Sequence, residues 1–198
     1  MIIRDWKKEI FTIPNLLSFF RLILIPVYMG IYLKAQETKD YILAGTILAI
    51  SCTTDMVDGK IARKFNMITT FGKFLDPLAD KLTQFSLLLC LAICHPVLWA
   101  VFSLFVLKEL FQLFAGVLVA KRGYILKGAL ISGKVCTTVL FVSLVAMVLF
   151  HRMDDSTISL IAMIDGVFLM VAFGDYFITY LGVKSRFQPL NDTPNADI

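Results

Sequence analysis

Eight residues between Asp55 and Asp80 stand at spacings that suit chemistry on charged oxygen. They read Asp55-x-x-Asp58-Gly59-x-x-Ala62-Arg63, then eight residues, then Gly72-x-x-x-Asp76-x-x-x-Asp80. Asp55 and Asp58 are three apart, and Asp76 and Asp80 four apart, so each pair shares one face of a helix. Four carboxylates brought together would repel, and a divalent cation removes that conflict. All-oxygen ligation selects a hard ion, Mg2+ or Mn2+, of the kind that bridges carboxylates and substrate phosphates. Two ions are compatible with the set, since two-metal sites suit displacement at phosphorus. Gly59, Ala62 and Gly72 clear space for a bulky ligand or a close helix approach. Arg63 and Lys64 add positive charge for phosphate, the arginine in a bidentate fork. A pyrophosphate-linked nucleotide would meet all of these demands.

The elements carrying these residues are apolar. Of the 198 residues 58% are hydrophobic, above the roughly 45–50% of soluble domains. The excess lies in runs near the 20 or so residues that cross a bilayer. Six helical spans are expected near 15–34, 40–63, 74–95, 97–120, 129–150 and 157–181, the third and fourth joined by a tight turn at His95-Pro96. The fold class is therefore an all-α integral membrane protein, a single domain over residues 1–198. Residues 1–11 mix Arg4, Lys7, Lys8 and Glu9 with Ile2, Ile3, Trp6 and Ile10. They read as a short interfacial amphipathic helix rather than a cleaved signal. Residues 188–198 read as a poorly ordered tail.

Lysine and arginine set the orientation. Arg4, Lys7 and Lys8, then Lys60, Arg63, Lys64 and Lys73, then Lys121, Arg122 and Lys127, then Lys184 and Arg186 fall on one side. Lys34, Lys39 and Arg152 fall on the other. Both termini and the 60–73 link are expected on the cytoplasmic side of the cell membrane. The net charge of +4 suits contact with anionic lipid and is too spread for nucleic acid. Cys52, Cys90, Cys94 and Cys136 lack the partners of a zinc set and read as small packing residues.

The stretch from Asp55 to Asp80 resembles the complete signature of the CDP-alcohol phosphatidyltransferase family, at all eight positions. The resemblance implies six membrane helices, a homodimer and the signature on helices two and three. It implies Asp55, Asp58, Asp76 and Asp80 as the metal ligands, with two ions, and Asp80 as the base that takes the proton of the attacking hydroxyl. Gly59, Ala62, Arg63 and Gly72 match positions around the CDP moiety. Ile13-Pro14-Asn15-Leu16-Leu17-Ser18, Arg21 and Pro26 resemble the opening of two branches: phosphatidylglycerophosphate synthases, whose acceptor is glycerol 3-phosphate, and eukaryotic-type cardiolipin synthases, whose acceptor is phosphatidylglycerol. Gly133-Lys134-Val135-x-Thr137-Thr138 resembles the first branch. Lys108-Glu109 departs from its usual Arg-Glu, and Gly116 stands where it carries a second Arg.

Lys108 and Lys134 lie in apolar spans, where a charge needs a reason. They are expected to hold the acceptor phosphate, with Arg21 as a further contact. The structural alternatives are pairing with Glu109 or an aspartate for Lys108, and snorkelling for Lys134. Asp165 has no evident partner in sequence. The expected substrates are CDP-diacylglycerol and glycerol 3-phosphate, with phosphatidylglycerol as the alternative acceptor. A divalent-cation transporter is the rival from another class, since intramembrane carboxylates also mark ion pathways. A lipid-binding structural protein is a third reading.

Overall fold

The computed structural model describes residues 12–64, 69–126, 128, 130–150, 152–182 and 187–189; within these, the side chains at 13–14, 55–64, 70–71, 73–74, 125, 182 and 188–189 lie outside the description. The expected interfacial helix at 1–11 and the tail beyond 189 therefore lie outside the described residues. Six helices run in chain order: α1 Ile13–Lys34, α2 Thr38–Lys64, α3 Thr70–Cys94, α4 Leu98–Lys121, α5 Ile131–Leu149 and α6 Asp155–Gly182. Among the described residues, α1, α3, α4, α5 and α6 are long and apolar enough to cross a bilayer.

Local chemistry sets the helix ends. α1 begins with a proline in its first turn and ends after Lys34, where a cation suits the C-terminal dipole. The Asp40 carboxylate accepts the backbone N–H groups of Gln36 and Glu37 at 3.0 and 3.1 Å, closing the entry to α2. Thr69 caps α3: its Oγ1 accepts the N–H of Gly72 at 2.9 Å. The turn between α3 and α4 falls at His95-Pro96, where Leu98 N–H reaches the His95 carbonyl at 3.0 Å. Asp154 accepts both the hydroxyl and the N–H of Thr157 at the start of α6. Those bonds, the hydroxyl's foremost, hold its carboxyl below the usual range. Along α2, the hydroxyls of Thr46, Thr53 and Thr54 donate to carbonyls four residues back, so they are satisfied within their own helix.

The chain divides into two compact units, one of Met1–Cys94 with Leu144–Arg152, the other of His95–Ser143 with Met153–Ile198. In the first, α1 packs against both α2 and α3. Tyr28, Tyr32, Ala44, Leu48, Ala79, Leu87 and Leu88 form its core. Gly45 admits Leu149, whose Cδ2 would stand 3.1 Å from an added Cβ. In the second, α4 packs against α6, with Phe111 against Phe173 and Phe177. Large apolar side chains face outward, among them Leu113, Phe114, Met170 and Ile178, which suits lipid rather than water. Of the cysteines, Cys90 and Cys136 are buried, Cys52 is half-buried and Cys94 is exposed.

The all-α expectation includes no strand. The structure has two of three residues each, β1 Tyr124–Leu126 and β2 Phe187–Pro189. They pair antiparallel, Tyr124 opposite Pro189 and Leu126 opposite Phe187. Gly123 turns the chain into β1 with φ of 79°, a conformation that favours glycine. The ladder takes in Gln188 and Pro189, the first residues of the expected tail. Elements this short arise from tertiary pairing and carry no periodic signal of their own.

Candidate active site

The described part of the site lies where α1 meets α3. Asp76 and Asp80 share one face of α3, as their spacing requires. Opposite them α1 presents Asn15, Ser18 and Arg21, spaced by three and at most 2% exposed. The Ser18 hydroxyl donates to Asp76 Oδ1 at 2.6 Å. The Arg21 guanidinium donates through Nη1 to Asp80 Oδ1 at 2.6 Å. Asn15 Nδ2 donates to the Oγ1 of Thr69 at 3.2 Å. The contacts ascend together along both helices, so α1 and α3 run parallel. Steps of three on α1 meet steps of four on α3, the pairing of shallow left-handed crossings.

Gly72 belongs to the same contact. A Cβ there would stand 2.6 Å from Asn15 Oδ1 and 3.0 Å from Thr69 Oγ1. Glycine at this position thus has a packing reason on α1. Arg21, expected as a further contact of the acceptor, has its guanidinium on Asp80. The family resemblance marks Asn15 and Ser18 only as part of a branch-like opening. The signal was present nonetheless: three polar residues at a spacing of three in an apolar helix form one stripe, and a stripe needs partners.

Asp55, Asp58, Gly59, Ala62 and Arg63 lie on the last three turns of α2, with side chains outside the described residues. Among the described residues no three metal-ligating side chains gather. The donor chemistry that is described fits a hard divalent cation: two carboxylates one turn apart, the Asp80 side chain 52% exposed.

The second unit holds the lysines. Lys108 is buried on α4, its Nζ 2.7 Å from Glu109 Oε1 and 5.7 Å from the centre of the Tyr176 ring. The structural alternative for this lysine, pairing with Glu109, is therefore realised. Lys134 is exposed near the start of α5. Beside it, Gly133 lies so close under Tyr176 that a Cβ would meet the hydroxyl at 2.6 Å. A groove of about 410 Å3 runs along α4 and α6, lined by Glu109, Gln112, Gly116, Ala120 and Tyr180 among others. Asp165 has the partner its sequence did not reveal: Ser143 donates to its Oδ2 at 2.6 Å. Asp175 accepts from Ser132 at 2.5 Å.

Comparison with known proteins gives these features a setting. Over 115 residues the chain is 38% identical to a probable cardiolipin synthase (CMP-forming) of Drosophila melanogaster, covering 58% of this chain and 34% of that protein. Over 83 residues it is 48% identical to a CDP-diacylglycerol–glycerol-3-phosphate 3-phosphatidyltransferase of Bacillus subtilis, covering 36% of this chain and 43% of the relative. Over 121 residues it is 33% identical to a probable phosphatidylglycerophosphate synthase of Mycobacterium tuberculosis, covering 60% and 58%. The matches thus span between about a third and three-fifths of these relatives. The model of the CDP-alcohol phosphatidyltransferase family matches residues 11–172, which include α1 with its polar stripe, the aspartates of α3 and Lys108, and the chain belongs to that family.

Proposed function

We propose that this protein transfers the phosphatidyl group of CDP-diacylglycerol to glycerol 3-phosphate and releases CMP. The observation that carries the choice of acceptor is the 48% identity to the Bacillus subtilis enzyme of that name. Family membership argues against the transporter reading. The match through residues 11–172 supports one catalytic membrane domain. In this reading α2 is a sixth span, residues 1–11 lie on the membrane surface, and the termini and active site of a multi-pass cell-membrane homodimer face the cytoplasm.

Asp55, Asp58, Asp76 and Asp80 would hold Mg2+ or Mn2+, as two ions. When bound, the metal supplies positive charge that offsets the pyrophosphate and the departing CMP. Gly59 and Ala62 leave room for the CDP moiety, Gly72 admits Asn15 of α1, and Arg63 grips phosphate. Asp80 takes the proton of the acceptor hydroxyl as its oxygen bonds to the lipid-bearing phosphorus. The bond from that phosphorus to the CMP oxygen breaks. Lys108 and Lys134 bind the acceptor's phosphate, which would otherwise lie uncompensated at an apolar boundary.

A second reading has phosphatidylglycerol as the acceptor and cardiolipin as the product. The 38% identity to the Drosophila protein favours it. So does Gly116, which lines the groove where the phosphatidylglycerophosphate synthase branch carries a second arginine. Purified protein with CDP-diacylglycerol and each of glycerol 3-phosphate, phosphatidylglycerol, inositol phosphate and serine tests both readings. CMP release with glycerol 3-phosphate supports the first. Turnover of phosphatidylglycerol alone transfers the assignment to the second.

A further inference from the structure

The α1 stripe is expensive for what it would do as packing. Asn15, Ser18 and Arg21 are fully buried on a helix apolar enough to cross a membrane. A polar group placed there costs free energy unless its partner repays it. Apolar residues of similar volume would hold two helices together at least as well. Among the described contacts, Ser18 reaches Asp76 and Arg21 reaches Asp80, each engaging the Oδ1 of its carboxylate. Ser18 and Arg21 are therefore aimed at the carboxylates, while Asn15 meets the Thr69 cap of α3.

We propose that Ser18 and Arg21 are positioning residues with separate tasks: Ser18 aims Asp76 as a cation ligand, and Arg21 holds Asp80 in place for proton transfer. The inference rests on the proposed reading, the first task on its metal ligands alone and the second on its transfer chemistry. The division follows from charge. Ser18 is neutral, so its bond limits rotation of the Asp76 carboxylate without weakening that group's attraction for a cation. Arg21 brings a full positive charge to Asp80 Oδ1. A cation there opposes a second cation and cannot strengthen its binding. What it can do is fix a carboxylate whose half-exposed side chain would otherwise rotate.

The test compares Ser18→Ala, Ser18→Thr, Arg21→Gln and Arg21→Lys with the parent in detergent micelles. Mn2+ binding is read by electron paramagnetic resonance without substrate, and kcat is read at saturating Mn2+. Ser18→Ala should weaken Mn2+ by about tenfold or more, the worth of a hydrogen bond to a charged group, and Ser18→Thr should restore it. Arg21→Gln should bind Mn2+ as tightly as the parent or more tightly. Its kcat should fall about a hundredfold, the scale of a misplaced catalytic group. Arg21→Lys, which keeps the charge on a differently shaped head, should recover part of that loss. If Arg21→Gln does not fold, Arg21→Lys carries the arm through the same split between kcat and Mn2+ affinity. Parallel loss of Mn2+ affinity in both families, with kcat restored by excess metal, would overturn the division. Unchanged binding and turnover throughout would remove α1 from the site. A parent that binds Mn2+ yet releases no CMP would defeat the functional reading, while the Ser18 arm still decides on binding alone.

Discussion

Gly72→Ala tests how the first and third helices support the site. The added Cβ would sit 2.6 Å from Asn15 Oδ1, about 0.8 Å inside ordinary contact. Asn15 is 1% exposed and donates to Thr69, so it has little room to yield. Overpacking of this kind costs about 1–3 kcal/mol, and displacing Asn15 forfeits a hydrogen bond worth about 1 kcal/mol. The unfolding midpoint in micelles should fall accordingly. CDP-lipid affinity should fall with it, because Asp76 lies one turn along the displaced helix. The discriminating variant is Asn15→Ala in the Gly72→Ala background. It removes the clashing oxygen and should recover at least half of both losses, a coupling that distant sites do not show. If the two substitutions add without coupling, or stability holds while nucleotide affinity alone collapses, glycine at 72 serves the ligand and the packing argument fails.

Lys108→Ala should raise the KM for glycerol 3-phosphate about ten- to a hundredfold, from a charged hydrogen bond of about 1.5–3 kcal/mol. The exposed Lys134 should matter less; unchanged kinetics in both variants would remove them from the acceptor site. Asp80→Asn should abolish transfer while leaving CDP-lipid binding largely intact, whereas Asp58→Asn should weaken nucleotide and metal together. Equal loss of binding in both would end that division of roles. Activity should vanish in excess EDTA and return with Mg2+ or Mn2+, and full turnover under chelation would contradict the metal reading. A cysteine at Asn66 should resist impermeant reagents applied outside intact cells; labelling there would reverse the orientation.

Among the described residues five helices were legible as long apolar runs, and all six helices begin and end within four residues of the expected spans. α3 starts earlier than expected, at Thr70, because Thr69 caps it, and hydropathy does not register a cap. The pairing of Asp76 with Asp80 followed from spacing alone. Their partners on α1 did not, since a contact 58 or 59 residues distant in sequence leaves no local trace beyond the stripe. Asp165 looked orphaned for the same reason: Ser143 lies on another helix. The β1–β2 ladder joins two loop segments whose only local hint is Gly123.

The bond between Arg21 and Asp80 has a consequence in time. Synthesis delivers α1 first, and 59 residues separate the arginine from its partner. Until α3 emerges, a lone guanidinium must enter the bilayer at a cost of about 2.5–3.5 kcal/mol near a helix centre, or lean back toward the nearer headgroups. The arrival of Asp80 removes that burden. The first helix is therefore expected to reach its final depth only once the third has been made.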